Sequence, residues 1–493
     1  MPQQHVLETL SLPSRYEPLV ERIGPEVLRL LVPPGRSTME TLEEAAAAVR
    51  SLGEGLFLPI HAPSGTGKTT LAENLTLFQG SKFTTTVSFS GEVSSAALTT
   101  AMAPLTSDLA ANDTRVIPIN IDHRESRPPT AEEISEIKRF LRQGVGRRAL
   151  AIWPETDPGL AASMSASYRG VSGVVPLDLP VAVQGPPSDT WPALAEQTLQ
   201  LANQIDSLDR LLDLTEYEPS AFRSIGDYLR QISTDFNKRR LELERATSRP
   251  VRLTILWVTE TSGHGILASL TSSARFGMLD PSALLQACAD SVIGQWWSGH
   301  RGLLVQTIVS LDAHVFAVSP PLSLAVIRRY GPEESQKALT DLGFNNRTPA
   351  EVSTYLRRSD LGRYVAGEQR SVAETRGNPA EDARVVFDAY AAYHGFHAGK
   401  DKKLNRAFAT ALQATLEADS GHPVETGCES ALPFLPSLVP DVWVDSTDLA
   451  HCFELTYRKG EYLVSKNRSA IAQYCLTKLK NYARSLGWVG GDE

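Results

Sequence analysis

Apolar residues recur at helical spacing through residues 17–31 and 39–52, and Pro33-Pro34-Gly35 breaks the two segments apart. Short unbroken apolar runs then take over, at 57–60, 83–89, 115–122, 147–156 and 174–179. Runs of this length without alternation read as strands buried on both faces of a parallel sheet. Helical spacing fills the intervals at 71–78, 94–109 and 130–143. The last of these opens well, with Thr130 at the cap position and Glu132 and Glu133 in the first turn. Strands alternating with helices predict an α/β fold with a parallel sheet over residues 56–190.

The pattern changes after residue 190. Residues 191–248 are helical throughout. Strand signals return at 250–261 and once or twice within 302–318, with a helix at 281–297 between them and helical pattern over 320–355. A polar stretch at 370–379 reads as a linker. Beyond it come helices at 381–393 and 404–418, strands within 433–444 and at 451–457, and a closing helix at 469–486. The expected domains are a helical lead-in (1–55), an α/β core (56–190), a helical block (191–248), a mixed α/β middle module (249–368) and a C-terminal αβ domain (380–493).

Composition adds limits. Hydrophobic content of 42% and charged content of 21% are ordinary for a soluble globular chain. A net charge of −9 argues against a chain-wide basic surface while leaving room for a local basic groove. The 4 cysteines, Cys288, Cys428, Cys452 and Cys475, form no C-x-x-C pair, so no zinc or redox motif is indicated, and the low usage fits a reducing cytoplasm. The first residues lack a signal-peptide layout, and no apolar run reaches membrane-spanning length. A cytoplasmic protein without membrane association is expected.

The sharpest chemistry follows the first apolar run. Ala62-Pro63-Ser64-Gly65-Thr66-Gly67-Lys68-Thr69-Thr70 joins a strand to a helix. Gly65 and Gly67 allow the backbone to turn its N–H groups inward on an anion, and the helix start adds partial positive charge. Lys68 can reach β- and γ-phosphates, and the Thr69 hydroxyl is a hard oxygen donor suited to Mg²⁺. With Ala62 in place of the first glycine, the loop resembles the Walker A motif of P-loop NTPases. The resemblance implies that Pro63 to Thr70 hold ATP or GTP with Mg²⁺.

Further residues follow from that resemblance. Asp122, ending an apolar run, is expected as the Walker B acid that holds Mg²⁺ with Thr69. Many P-loop ATPases place Glu directly after this Asp to polarise the attacking water. This chain has His123 there, which leaves Glu125 or Glu155 for that role. The order of elements over about 50–245 resembles AAA+ ATPases, with residues 191–248 as their helical lid. That likeness implies a sensing role for Thr156 and an arginine finger at Arg169 reaching a neighbouring subunit's nucleotide. Arg223 or Arg230 would be a second sensor in the lid.

The tail carries a second resemblance. Pro440-Asp441 and, on the next strand, Glu454 are similar to the acids of the PD-(D/E)XK nuclease fold, and a helix with Lys478, Lys480 and Arg484 follows. The resemblance implies a divalent cation held by Asp441 and Glu454. Thr456 stands where that pattern has lysine, so cleavage is not expected. Lys459 and Lys466 are the nearby alternatives. Trp296-Trp297 beside His300-Arg301 suggests either base stacking or core packing.

The leading expectation is an oligomeric Mg-ATP-dependent ATPase that couples nucleotide binding or hydrolysis to DNA or RNA handling. The pairing of NTPase and nuclease-like parts resembles proteins of microbial (antiviral) defence or mobile elements. One rival is a nucleotide-gated assembly scaffold with slow or no hydrolysis, working with partner proteins. The other is a small-molecule kinase, which the long helical block and large C-terminal extension disfavour.

Overall fold

The computed structural model describes residues 4–110, 112–122, 127–205, 208–245, 249–260, 264–344, 349–368, 378–394, 401–446 and 449–489. The chain forms two compact units. One comprises Leu12–Thr198 and Leu214–Thr234; the other comprises Met1–Ser11, Leu199–Asp213 and Asp235–Glu493.

The first unit is built on a five-stranded sheet. Its strands are β1 (Leu56–His61), β2 (Val87–Phe89), β3 (Ile117–Ile121), β4 (Ala149–Glu155) and β5 (Val181–Ala182), in the order β2-β3-β4-β1-β5. Every pairing is parallel. All residues of β3 and β4 are buried, which is why their sequences read as unbroken apolar runs. The helix Ala131–Leu141 starts with the full capping box: Thr130 accepts from the Glu133 N–H, and the Glu133 carboxylate accepts from the Thr130 N–H.

Two strand expectations shift here. The run 83–89 contributes only Val87–Phe89 as a strand, with Phe83 making an isolated bridge to Val116. The run 174–179 forms no strand. Val174 is fully exposed, and pairing with β1 begins only after Pro180, at Val181. Pro176 within that run and Pro180 directly after it cannot donate to a ladder.

The helical block also differs from expectation. It comprises the helices Trp191–Asn203 and Ile225–Arg245, joined through short 3-10 turns, and both helices cross the boundary between the two units. Residues 191–248 are therefore not a compact lid of their own.

The second unit has its own sheet of β6 (Val251–Val258), β7 (His314–Val318), β8 (Glu425–Cys428), β9 (Val442–Asp445) and β10 (Ala450–Tyr457), in the order β7-β6-β10-β9-β8. β10 lies parallel to β6 from Ala450↔Val251 to Tyr457↔Val258, and antiparallel to β9. The expected division between 249–368 and 380–493 is thus replaced by one shared sheet. β6 is buried along its whole length and needs a partner on each edge; β10 supplies one from roughly 200 residues away. Within 302–318 only β7 is a strand, because Arg301–Ser310 is a helix. A short apolar run does not distinguish a buried strand from a buried helix. Most of the expected linker, 370–377, lies outside the described residues.

A buried ion-pair network anchors the start of this sheet. Asp312 accepts from Arg252 Nε at 2.8 Å and lies 2.9 Å from His314 Nε2, with all three side chains at most 5% exposed. Burial opposes the Asp312 charge, but the His314 and Arg252 charges outweigh it and hold its carboxyl well below the usual range.

Candidate functional site

β1 runs into the loop 62–67, and the helix Lys68–Glu73 follows. Gly65 and Gly67 have φ of +80° and +95°, a region that glycine enters without strain. Thr66 closes the turn by donating its hydroxyl to the Pro63 carbonyl at 2.8 Å. Ser64 to Thr70 line a cavity of about 820 Å³, and Asp122, directly after β3, lines it too. Thr69 and Asp122 therefore border one space. Both are hard oxygen donors, and this set fits Mg²⁺ beside a phosphate.

Lys68 is only 5% exposed. Its ammonium donates to the Ala62 carbonyl at 2.8 Å, the Pro63 carbonyl at 3.4 Å and Thr156 Oγ1 at 3.3 Å. The structure thus joins Thr156 to Lys68, as the strand order requires: β4 lies directly beside β1. Asn120, wholly buried on β3, donates to Asp122 at 3.4 Å and orients it. Sequence reasoning passed over Asn120, although its place two residues before Asp122 puts both on one face of the strand.

The two candidates for positioning water fare differently. Glu125 and His123 lie outside the described residues. Glu155 is fully buried, and its Oε1 accepts the N–H groups of Thr156 and Asp157 at 2.6 and 3.0 Å, just before the helix Pro158–Ser172. That oxygen caps the helix start, and Glu155 is not among the residues lining the cavity. Arg169 sits in the last turn of the same helix, not in a turn before a strand. It is exposed and pairs with Asp178 at 3.3 Å.

The remaining wall was invisible in the sequence pattern. Leu19, Val27 and Leu30 from the N-terminal segment and Ile225 and Leu229 from the helix Ile225–Arg245 line the same cavity as the loop. The start of that helix rests on the loop itself: Ser224 Oγ donates to the Ser64 carbonyl at 3.0 Å, and the Gly226 N–H donates to the Gly65 carbonyl at 2.9 Å. Arg230 lines the cavity and pairs with Asp227 at 3.1 Å; Arg223 does not line it.

In the second unit, Asp441 precedes β9 and Glu454 lies on the adjacent β10. Asp441 Oδ2 accepts the Leu455 N–H at 2.8 Å. Burial and the Glu454 charge push the Asp441 carboxyl up to about 7. Glu454 is 3% exposed; Lys478 donates to its Oε2, and the Tyr482 hydroxyl donates to Oε1 at 2.8 Å. Both oxygens expected to hold a metal are thus engaged, one by a full positive charge. Among the described residues no group of three or more His, Cys, Asp or Glu is arranged to hold a metal ion. The donor set does not fit the divalent cation that the nuclease resemblance implied.

The tryptophan pair is packing, not a stacking platform. Trp297 is wholly buried and donates to the Leu476 carbonyl at 3.0 Å. The Trp296 ring is already covered by His300, stacked at 4.3 Å, and by the Lys480 ammonium 3.2 Å from its centroid. No helix among the described residues is long and apolar enough to cross a membrane.

The sheet and its loop define a P-loop α/β fold. No family model matches this chain, and no curated protein matches it. Among solved structures, it is similar to a RuvB mutant of Thermotoga maritima, at 16% identity over 43% of this chain and 70% of that chain, with a TM-score of 0.23. It is similar to the Aeropyrum pernix ORC2 protein in its ADP form, at 13% identity over 76% of this chain and 94% of that one, TM-score 0.26. A third is CDC6P from Pyrobaculum aerophilum, at 12% identity over 79% and 98%, TM-score 0.27. The assignment of the fold rests on the parallel sheet order and the loop geometry.

Proposed function

We propose that the chain binds a magnesium nucleoside triphosphate, ATP or GTP, at residues 62–70 and turns it over slowly, as a member of the AAA+ group of P-loop NTPases. The carrying observation is that Ser64 to Thr70 and Asp122 line one cavity large enough for a nucleotide. Lys68 then leaves its carbonyl partners for the β- and γ-phosphates, and Thr69 and Asp122 hold the ion. Slow turnover is favoured because Glu155 does not line the cavity and its Oε1 accepts from its own helix start. Arg169, exposed on a helix end, is the residue to reach a neighbouring subunit's nucleotide in an oligomer.

Nucleotide occupancy, on this reading, controls a second unit that handles DNA or RNA. Support comes from the composition of the stretch 458–468, which holds Arg458, Lys459, Lys466 and Arg468 against a single acid, Glu461. Phosphate release should be measured on wild type and Lys68→Ala, with and without DNA and RNA. Nucleic-acid-stimulated release that Lys68→Ala abolishes supports the coupling. Tight binding with no release under any condition supports the nucleotide-gated scaffold. Release only with an added metabolite, or no nucleotide binding, overturns the proposal.

A further inference from the structure

The helix Arg468–Ser485 presents three side chains to β10 one turn apart, Tyr474, Lys478 and Tyr482. Tyr482 and Lys478 take the two oxygens of Glu454. Tyr474 lies one turn before Lys478 on that face, and the Lys478 ammonium lies 5.7 Å from the centre of its ring. Asp441 is fixed beside this group by its bond from the Leu455 N–H. A buried acid on β10, with a half-buried acid just before the adjacent strand, has thus been given a counter-ion from within the chain.

A divalent cation cannot simply be added to this arrangement. It would need a Glu454 oxygen, and it would sit beside an ammonium in a medium of low polarity, where like charges repel strongly. The pair has two acids and one cation, so removing the cation leaves two neighbouring acids that share a proton or take a metal ion in its place. That is the electrostatic setting of a metal site.

We propose that Lys478 is a resident cation standing in the place of a divalent ion between Asp441 and Glu454, and that its removal turns this acid pair into a divalent-cation site. Thr456 and Lys478 are then two parts of one arrangement. The strand position that nuclease-like sequences fill with lysine is neutral, and the lysine reaches the acids from the helix. The acid pair in the wild type is a structural ion pair that needs no metal and cuts no phosphodiester. This inference is independent of the reading of the P-loop.

The test is Mn²⁺ binding to the full chain, followed by electron paramagnetic resonance of the free ion, with DNA cleavage assayed in parallel. Wild type and Asp441→Asn should bind the same number of Mn²⁺ ions, and neither should cut DNA. Lys478→Ala should bind one more ion per chain than wild type, and Lys478→Ala with Asp441→Asn should lose it. Mn²⁺ should also raise the unfolding temperature of Lys478→Ala more than that of wild type, because a ligand of the folded state stabilises it. Wild-type binding or cleavage that Asp441→Asn removes would overturn the proposal, and so would a folded Lys478→Ala with no added site. Should Lys478→Ala fail to fold, the wild-type comparison with Asp441→Asn still decides whether a metal occupies the pair.

Discussion

Gly226 donates its backbone N–H to the Gly65 carbonyl at 2.9 Å, and neither residue has room for a side chain. A Cβ on Gly226 would lie 2.5 Å from the Gly65 Cα, and one on Gly65 would lie 2.9 Å from the Gly226 Cα. The start of the helix Ile225–Arg245 is therefore pressed directly onto the loop 62–67, backbone against backbone.

Gly226→Ala must push that helix off the loop or distort the loop beneath it. The expected cost is about 1–3 kcal/mol of stability, the range for an overpacked site, together with weakened nucleotide binding. Thermal unfolding and titration with a fluorescent nucleotide would measure both. Gly170→Ala, at a helical position where nothing lies within 4 Å, is the control. It should be neutral or slightly stabilising, since alanine is the better helix former.

How far the sequence reveals this site depends on how local each relationship is. The glycines of the loop, Lys68, Asp122 and the Thr130–Glu133 cap depend on neighbours within a few residues, and their spacing exposes them. Gly226 gave no such signal, because its reason lies some 160 positions away at Gly65, as the bond from Ser224 to Ser64 also shows. Lys478 was visible as one basic residue of a helix, but the strand that its face meets cannot be read from periodicity. The shared sheet was hidden in the same way: β6 and β10 each look like strands, and nothing local says that they pair. The helix Arg301–Ser310 was misread for a different reason. It is apolar nearly all round, so it lacks the polar face that marks a helix in a sequence.

Among the described residues Lys68 donates to three oxygen acceptors, two of them main-chain carbonyls. A triphosphate must compete with them, and it succeeds because its own oxygens are charged. Lys68→Ala removes that charged donor and should weaken triphosphate binding by about 10- to 100-fold, matching about 1.5–3 kcal/mol for a hydrogen bond to a charged group. Thr156→Val removes only a neutral partner of the ammonium and should change affinity much less. Isothermal titration calorimetry on the two variants would rank them. Equal losses would mean that Thr156 touches the nucleotide itself.

The apolar wall of the cavity should act on the nucleoside and not on the phosphates. Leu30 lines it and is 7% exposed. Leu30→Asp places a charge against the apolar part of the cavity, where desolvation is costly. It should weaken ATP binding by about tenfold or more, using a cost of at least 1.4 kcal/mol. Inorganic tripolyphosphate, which has no base, should bind wild type and Leu30→Asp alike. A parallel loss of both ligands would show that the N-terminal segment shapes the phosphate loop instead.

The last expectation concerns pH. Glu260 follows β6 and is 6% exposed. Burial, a hydrogen bond with Asp388 and the Asp388 charge push its carboxyl from 4.5 up to about 7; Glu461 adds to the rise, and Arg384 opposes it. The folded state therefore holds this proton more tightly than the unfolded chain. The stabilisation is fully present below 4.5 and is lost as pH rises through about 7. Glu260→Gln is neutral at every pH and can still hydrogen-bond to Asp388. Relative to wild type, its unfolding temperature should rise progressively across that window and level off above it. Thermal unfolding at a series of pH values would measure the difference. A difference that stays flat, or that grows toward acid pH, would show that Glu260 is charged in the folded protein and that Arg384 is its dominant partner.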